Sequence, residues 1–106
     1  MLGLLKKLFT TEDNTKLKET LAAGALLIDV RSPGEFASGH IKGSVNIPVD
    51  RLGNQVQVLK KDKPVVVYCR SGARSMAAKV LLEKKGFKNI VDGGSISTVE
   101  KLLNTK

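Results

Sequence analysis

The chain has one cysteine, one histidine and no tryptophan in 106 residues. A lone Cys69 cannot close an internal disulfide. With His40 as the only imidazole, no paired Cys or His spacing of the kind that holds zinc is present, and metal catalysis is not expected. Aromatic residues make up 4% of the chain, too few to form a stacking platform for bases. Long apolar runs are also missing. Leu2, Leu4 and Leu5 are interrupted by Lys6 and Lys7, so the stretch Met1–Phe9 is too short for a signal-peptide core or a membrane span. No repeat, low-complexity tract or Pro/Gly/Ser-rich linker divides the chain. These absences lead to the expectation of one domain over residues 11–106, in a reducing, cytoplasmic compartment, large enough to bury a core without covalent staples. Residues 1–10 are expected to be a short amphipathic or flexible segment, with Leu2, Leu5 and Phe9 on one side.

Acidic residues are few, and the formal net charge is +8. A basic balance invites a nucleic-acid or anionic-membrane reading. Lys16, Lys18, Lys42, Lys60, Lys61, Lys63, Lys84, Lys85 and Lys88 are, however, scattered along the chain. The expectation is a solvated surface that aids solubility and draws in small anions, with no nucleic-acid partner and no stable membrane insertion.

What is present alternates between two periodicities. Leu17 and Leu21 share a helical face and lead through Gly24 to an apolar strand, Leu26-Leu27-Ile28, after which Asp29-Val30-Arg31 is expected to leave the sheet. Ser32-Pro33-Gly34-Glu35 carries the marks of a helix start: a capping serine, proline at the first helical position, and glutamate placed to complete a capping box. Val45-Asn46-Ile47 reads as a strand ended by Pro48, and Leu52, Val56 and Leu59 as one helix face. Val65-Val66-Val67-Tyr68, after Pro64, reads as a buried strand. The helix behind it carries Met76, Ala77, Val80 and Leu81 and stops near Gly86. Ile90 and Val91 form a further strand, and Ile96, Val99, Leu102 and Leu103 mark a final amphipathic helix. Strands separated by helices imply parallel crossovers, hence a small parallel α/β sheet flanked by helices on both faces. Ligands in such folds bind beyond the carboxyl ends of the strands.

Cys69 stands at one of these ends, followed by Arg70-Ser71-Gly72-Ala73-Arg74-Ser75. A strand-to-helix loop can aim successive N–H groups at one point, and the helix adds its positive end, so an anion there is stabilised. A thiolate is such an anion, and its pKa falls from about 8.5 in this kind of setting. A buried cysteine acting as a small hydrophobe is the alternative. It does not explain two arginines, two serines and a glycine in the next six residues. Gly72 permits the backbone approach that a tight cradle demands. Arg70 and Arg74 are the candidate cations for a small oxyanion, and Ser71 and Ser75 candidate hydrogen-bond donors or helix caps. Asp29, Arg31 and Glu35 are expected to support the site structurally, and His40 to make a structural hydrogen bond.

The loop Cys69–Ser75 resembles the active-site loop of rhodanese-like sulfurtransferases. Leu27–Phe36 followed by Gly39–Pro48 is similar to the upstream signature of that family, and Gly86–Ile90 with Gly93-Gly94 to its closing part. The resemblance implies a single-domain rhodanese-like fold in which Cys69 takes sulfane sulfur from thiosulfate or a persulfide donor. The resulting persulfide passes the sulfur to cyanide in an assay, or to a thiol or protein acceptor in a cell, with no cofactor. Arg70 and Arg74 would hold the departing sulfite-like anion, and the backbone from Arg70 to Ser75, including Gly72 and Ala73, would surround the sulfur. Related phosphatases and arsenate reductases have loops of the form Cys-x5-Arg, whereas this one is Cys-x4-Arg, a tighter ring. Alternatives carried forward are a persulfide carrier without turnover or a protein-interaction module, a phosphatase or arsenate reductase of the same fold, and a basic membrane- or nucleic-acid-binding module. The family's aromatic residue after the glycine pair is replaced here by Ser95-Ile96.

Overall fold

The computed structural model describes residues 15–104, so the expected amphipathic segment 1–10 lies outside the described residues. The chain runs through a helix over residues 15–22 (α1), β1 (Leu26–Asp29), α2 (Pro33–Ala37), β2 (Val45–Asn46) and α3 (Leu52–Gln55). A 3-10 turn (Val56–Val58) follows, then β3 (Val65–Cys69), α4 (Ala73–Lys84), β4 (Ile90–Ser95) and α5 (Ile96–Asn104). The four strands form one sheet in the order β2-β1-β3-β4, every neighbouring pair parallel.

The centre of the sheet is β3, whose five residues are all buried. Side chains alternate across a strand, and the core divides accordingly. Val65, Val67 and Cys69 pack with Leu52, Ala78 and Leu82 of α3 and α4, while Val66 and Tyr68 pack with Leu17 of α1 and Val99 of α5. A continuous apolar run is what a strand covered on both faces requires. The expected α/β class, with helices on both sides, is the observed one.

Three elements differ from expectation. Asp29 stays in the sheet, opposite Asn46 and Tyr68. The face Leu52-Val56-Leu59 is split between α3 and the 3-10 turn. Gly53 sits inside this segment and its N-cap, Arg51, makes no side-chain capping bond, so little sustains a longer helix. Finally, β4 runs on through the glycines to Ser95. Val67 faces Asp92 and Tyr68 faces Gly94, leaving Gly93 as a bulged residue. A Cβ at Gly93 would lie 2.7 Å from Val99 Cγ2 and 3.0 Å from Val66 Cγ1, so only glycine lets α5 close over the sheet at this point. Among the described residues no helix is long and apolar enough to cross a membrane.

Candidate active site

The last residue of β3, Cys69, points to the α4 side of the sheet, and the chain turns into that helix within Arg70, Ser71 and Gly72. Gly72 is the helix N-cap with φ +107°. A Cβ there would meet nothing nearer than Gly94 Cα at 3.9 Å, so glycine is required for its backbone angle rather than for space. The turn places the Gly72 N–H 2.9 Å from Cys69 Sγ, donating to it. Burial pushes the Cys69 thiol up, but hydrogen bonds from the Ser75 and Gly72 N–H groups, the Ser75 side chain and the Ser71 N–H outweigh it. The net pKa lies below that of an ordinary cysteine. The amides act because each N–H of a helix's first turn lacks a partner within the helix, and here a sulfur supplies one.

Ser75 is fully buried beneath this loop. Its hydroxyl has a single proton and, besides the Cys69 sulfur, three oxygen acceptors in reach: Asp92 Oδ1 at 2.6 Å, Gly72 O at 3.0 Å and Gly94 O at 3.4 Å. The carboxylate is the closest and the only charged one, so the hydroxyl serves mainly to tie the loop to β4. The main-chain amides are left as the principal hold on the sulfur. The same Asp92 oxygen accepts the Gly94 N–H at 2.8 Å, pinning the bulge and the cysteine loop to one atom. Sequence reading missed Asp92 because its partner is 17 positions away. The glycine pair beside it, marking a bulge, was the available signal.

The arginines do not act together. Arg74 grips Glu35 with both prongs of its guanidinium, Nη1 to Oε1 at 2.7 Å and Nη2 to Oε2 at 3.0 Å. Arg74, expected to help hold a substrate anion, has its fork on a carboxylate here, the geometry it matches best, so any hold on an anion would be shared with Glu35. Glu35 also completes the capping box, accepting from the Ser32 N–H at 3.0 Å while its own N–H donates to Ser32 Oγ. Arg74, followed by the Ser32 N–H, holds the Glu35 carboxyl down to about 2. One glutamate thus starts α2 and ties it to the first turn of α4. Arg70 is exposed and has no ion-pair partner among the described residues, which leaves it as the loop's available cation.

Below these lies a buried pair. Asp29, fully covered, accepts from Arg31 Nε at 2.9 Å and Nη2 at 2.7 Å, and Arg31 Nη2 also donates to Gly39 O at 2.7 Å. The Arg31 guanidinium, held first by its hydrogen bond to Asp29, has its pKa raised. Its work is to fix the loop after β1 against the turn before β2. His40 stacks on Phe36 and its Nδ1 lies 2.9 Å from Phe36 O, a local contact. Ser71 and Ala73 are exposed on the rim of the cysteine loop. Cys69 has no exposed surface and belongs to the core cluster with Val67, Leu52 and Ala78, while the Gly72 N–H of the loop reaches its sulfur. A cleft of about 210 Å³, lined by Ser32, Pro33, Pro48, Arg51 and Arg74 among others, adjoins it. Among the described residues no group of three His, Cys, Asp or Glu is placed to hold a metal.

The chain and its fold have relatives. The family model for the rhodanese-like domain matches residues 13–95. The uncharacterized protein YqhL of Bacillus subtilis is 43% identical over 79 residues, which cover 72% of this chain and 63% of that protein. The chain thus spans just under two thirds of that relative's length. A protein named sulfurtransferase from Allochromatium vinosum is 36% identical over 89 residues, covering 80% of this chain and 83% of its own. Among solved structures, a rhodanese-related protein from Thermoplasma volcanium superimposes with a TM-score of 0.70 at 37% identity, over 83% of this chain and 87% of that one. The amide-ringed cysteine at the end of the central strand is therefore set in a shared framework, and the chain belongs to the rhodanese-like domain family.

Proposed function

We propose that the chain is a sulfurtransferase that carries sulfane sulfur on Cys69. The observation that carries this reading is the Gly72 N–H donating to Sγ at 2.9 Å, in a loop whose other amides also lower the thiol pKa against the effect of burial. The thiolate is thereby favoured relative to an ordinary cysteine without a histidine base. The sulfurtransferase name of the Allochromatium relative supports the reaction class.

With thiosulfate as donor, the Cys69 thiolate attacks the outer sulfur. A new S–S bond forms, the sulfur–sulfur bond of thiosulfate breaks, and sulfite leaves with that electron pair. Arg70, exposed beside the loop, offsets the charge of the incoming dianion and the departing sulfite. The persulfide then gives its outer sulfur to cyanide, or to a thiol or protein acceptor, and the thiolate is released. No metal or redox cofactor enters either step. Because Cys69 has no exposed surface at rest, a donor reaches it only when the residues around the sulfur move. Occupation of Arg74 by Glu35 argues against phosphoryl transfer, which needs positive charge turned onto the transferring oxygens.

Intact-mass measurement after incubation with thiosulfate tests this. The wild-type chain gains one sulfur atom, a thiol reductant removes it, and Cys69→Ala gains none. A wild-type chain that gains nothing from thiosulfate or from any persulfide donor refutes the proposal. Loading from a protein persulfide together with negligible thiosulfate:cyanide turnover identifies a carrier instead.

A further inference from the structure

Two arginines at the carboxyl end of the sheet have no ion pair among the described residues, and they stand in different places. Arg70 is on the cysteine loop. Arg51 lines the cleft of about 210 Å³ that also takes in Val30, Pro33, Pro48, Asp50 and Arg74. Its position is set locally. Pro48-Val49-Asp50-Arg51 is a four-residue turn closed by the Arg51 N–H donating to Pro48 O at 2.9 Å. The Val49 N–H donates to Val30 O at 3.1 Å and fastens that turn to the loop after β1. Val30 belongs to the same core cluster as Cys69, so the floor of the cleft adjoins the packing around the sulfur. The Arg51 side chain is exposed and makes no hydrogen bond among the described residues. Arg74, in the same cleft, is held by Glu35, which leaves Arg51 as the cation there with its donors unused.

We infer that this cleft is a carboxylate site beside Cys69, and that in the proposed reaction Arg51 selects small thiols bearing a carboxylate as sulfur acceptors. Three features select that chemistry. A guanidinium with free donors matches a carboxylate through two parallel hydrogen bonds. The cleft is smaller than the roughly 300–1,000 Å³ of drug-sized pockets, so its ligand is a small molecule. Val30, Pro33 and Pro48 supply an apolar wall for the carbon chain between thiol and carboxylate. Arg70 does not line this cleft, so donor and acceptor anions meet different arginines, as suits a reaction in two halves. In the second half the acceptor thiolate attacks the outer sulfur of the persulfide. A new S–S bond forms, the bond to Cys69 breaks, and the Cys69 thiolate leaves with its electron pair. Asp50, on the same rim and without an ion pair among the described residues, opposes part of the Arg51 field, so the preference is modest. The acceptor assignment rests on the sulfur-transfer reading, whereas the carboxylate site does not.

Alkylation of the single cysteine tests the site without any sulfur transfer. Iodoacetate and iodoacetamide differ only in carrying a carboxylate or an amide, and the ratio of their rates on the chain is compared with the same ratio for 2-mercaptoethanol. The chain is expected to favour iodoacetate by about three- to fivefold over that reference. Arg51→Gln, with an unaltered thermal midpoint, returns the ratio to the reference, whereas Lys60→Gln, the same charge change at the opposite end of the sheet, keeps the wild-type ratio. On the sulfur-loaded chain, 3-mercaptopropionate accepts sulfur faster than 2-mercaptoethanol, per thiolate, by a similar factor that Arg51→Gln removes. An alkylation ratio unchanged in Arg51→Gln, or lowered as much by Lys60→Gln, overturns the site. Equal transfer to the two thiols from a loaded chain overturns the acceptor assignment. A chain that favours iodoacetate through Arg51 yet never takes up sulfur upholds the carboxylate site and refutes sulfur transfer.

Discussion

At the carboxyl end of the sheet the cations are arginines, Arg31, Arg51, Arg70 and Arg74; at the amino end they are lysines. Two of those arginines are clamped by carboxylates through paired hydrogen bonds, Arg31 by Asp29 and Arg74 by Glu35. Among the described residues Lys42, Lys60, Lys61, Lys63, Lys84, Lys85 and Lys88 form no such ion pair. Positive charge at the first end is spent on geometry, holding the loops after β1 and β3 so that amides converge on a sulfur. At the second it remains a long-range field, cheap to change and sensitive to salt. The comparison separates charge that positions from charge that attracts, and each kind fails differently when altered.

The largest effect is expected at Arg74. Arg74→Ala should lower kcat/KM for thiosulfate by about tenfold or more, because the first turn of α4 loses its tie to α2. Arg74→Lys should recover little, since a point charge cannot grip both Glu35 oxygens. The pair also has a pH signature. Glu35 titrates at about 2 when folded and has a reference value of 4.5, so its stabilising contribution is complete above about 4.5 and is lost as pH falls toward 2. Urea midpoints measured between pH 5 and 2.5 should fall more in wild type than in Glu35→Gln. Equal slopes would show that the pair does not hold in solution.

A smaller effect is expected at Asp92. Asp92→Ala frees both the Ser75 hydroxyl and the Gly94 N–H from their common anchor, and the Cys69 thiol pKa should rise as the amides lose alignment. Asp92→Asn keeps an acceptor oxygen in place and should restore most of the wild-type value. An unchanged pKa in the alanine variant would leave Asp92 as packing alone. The smallest effect is at the other end. K60E/K61E/K63E should leave stability within about 0.5 kcal/mol and the thiol pKa unchanged. The length of β3 puts roughly 16 Å between those side chains and the sulfur, beyond the screening distance of about 8–10 Å. A shifted thiol pKa in that variant would break the division between the two ends.

Much of the carboxyl end was legible because its signals are local. The buried run Val65–Tyr68, the glycine at position 72 and the capping box Ser32–Glu35 each lie within a few residues and each has one physical reading. What was not legible is where long side chains turn. Arg74 is five residues from Cys69, and proximity in sequence suggested a shared task, yet its partner is 39 positions away. Asp92 was hidden for the same reason, and the extension of β4 because a glycine pair reads locally as a loop. The placement of the lysines was not legible either, although their exposure was. Scattered in sequence, they are assembled by parallel topology, since every strand begins at the same edge.

The account rests on main-chain amides keeping the Cys69 sulfur charged, and the pH dependence of its alkylation tests this most directly, because a single cysteine makes the rate unambiguous. The rate of iodoacetamide modification, followed by intact mass across pH 5 to 10, should reach half its maximum below about 8.5, the value for an unperturbed thiol. A midpoint at or above that value would contradict the account, since burial would then outweigh the hydrogen bonds that the loop supplies.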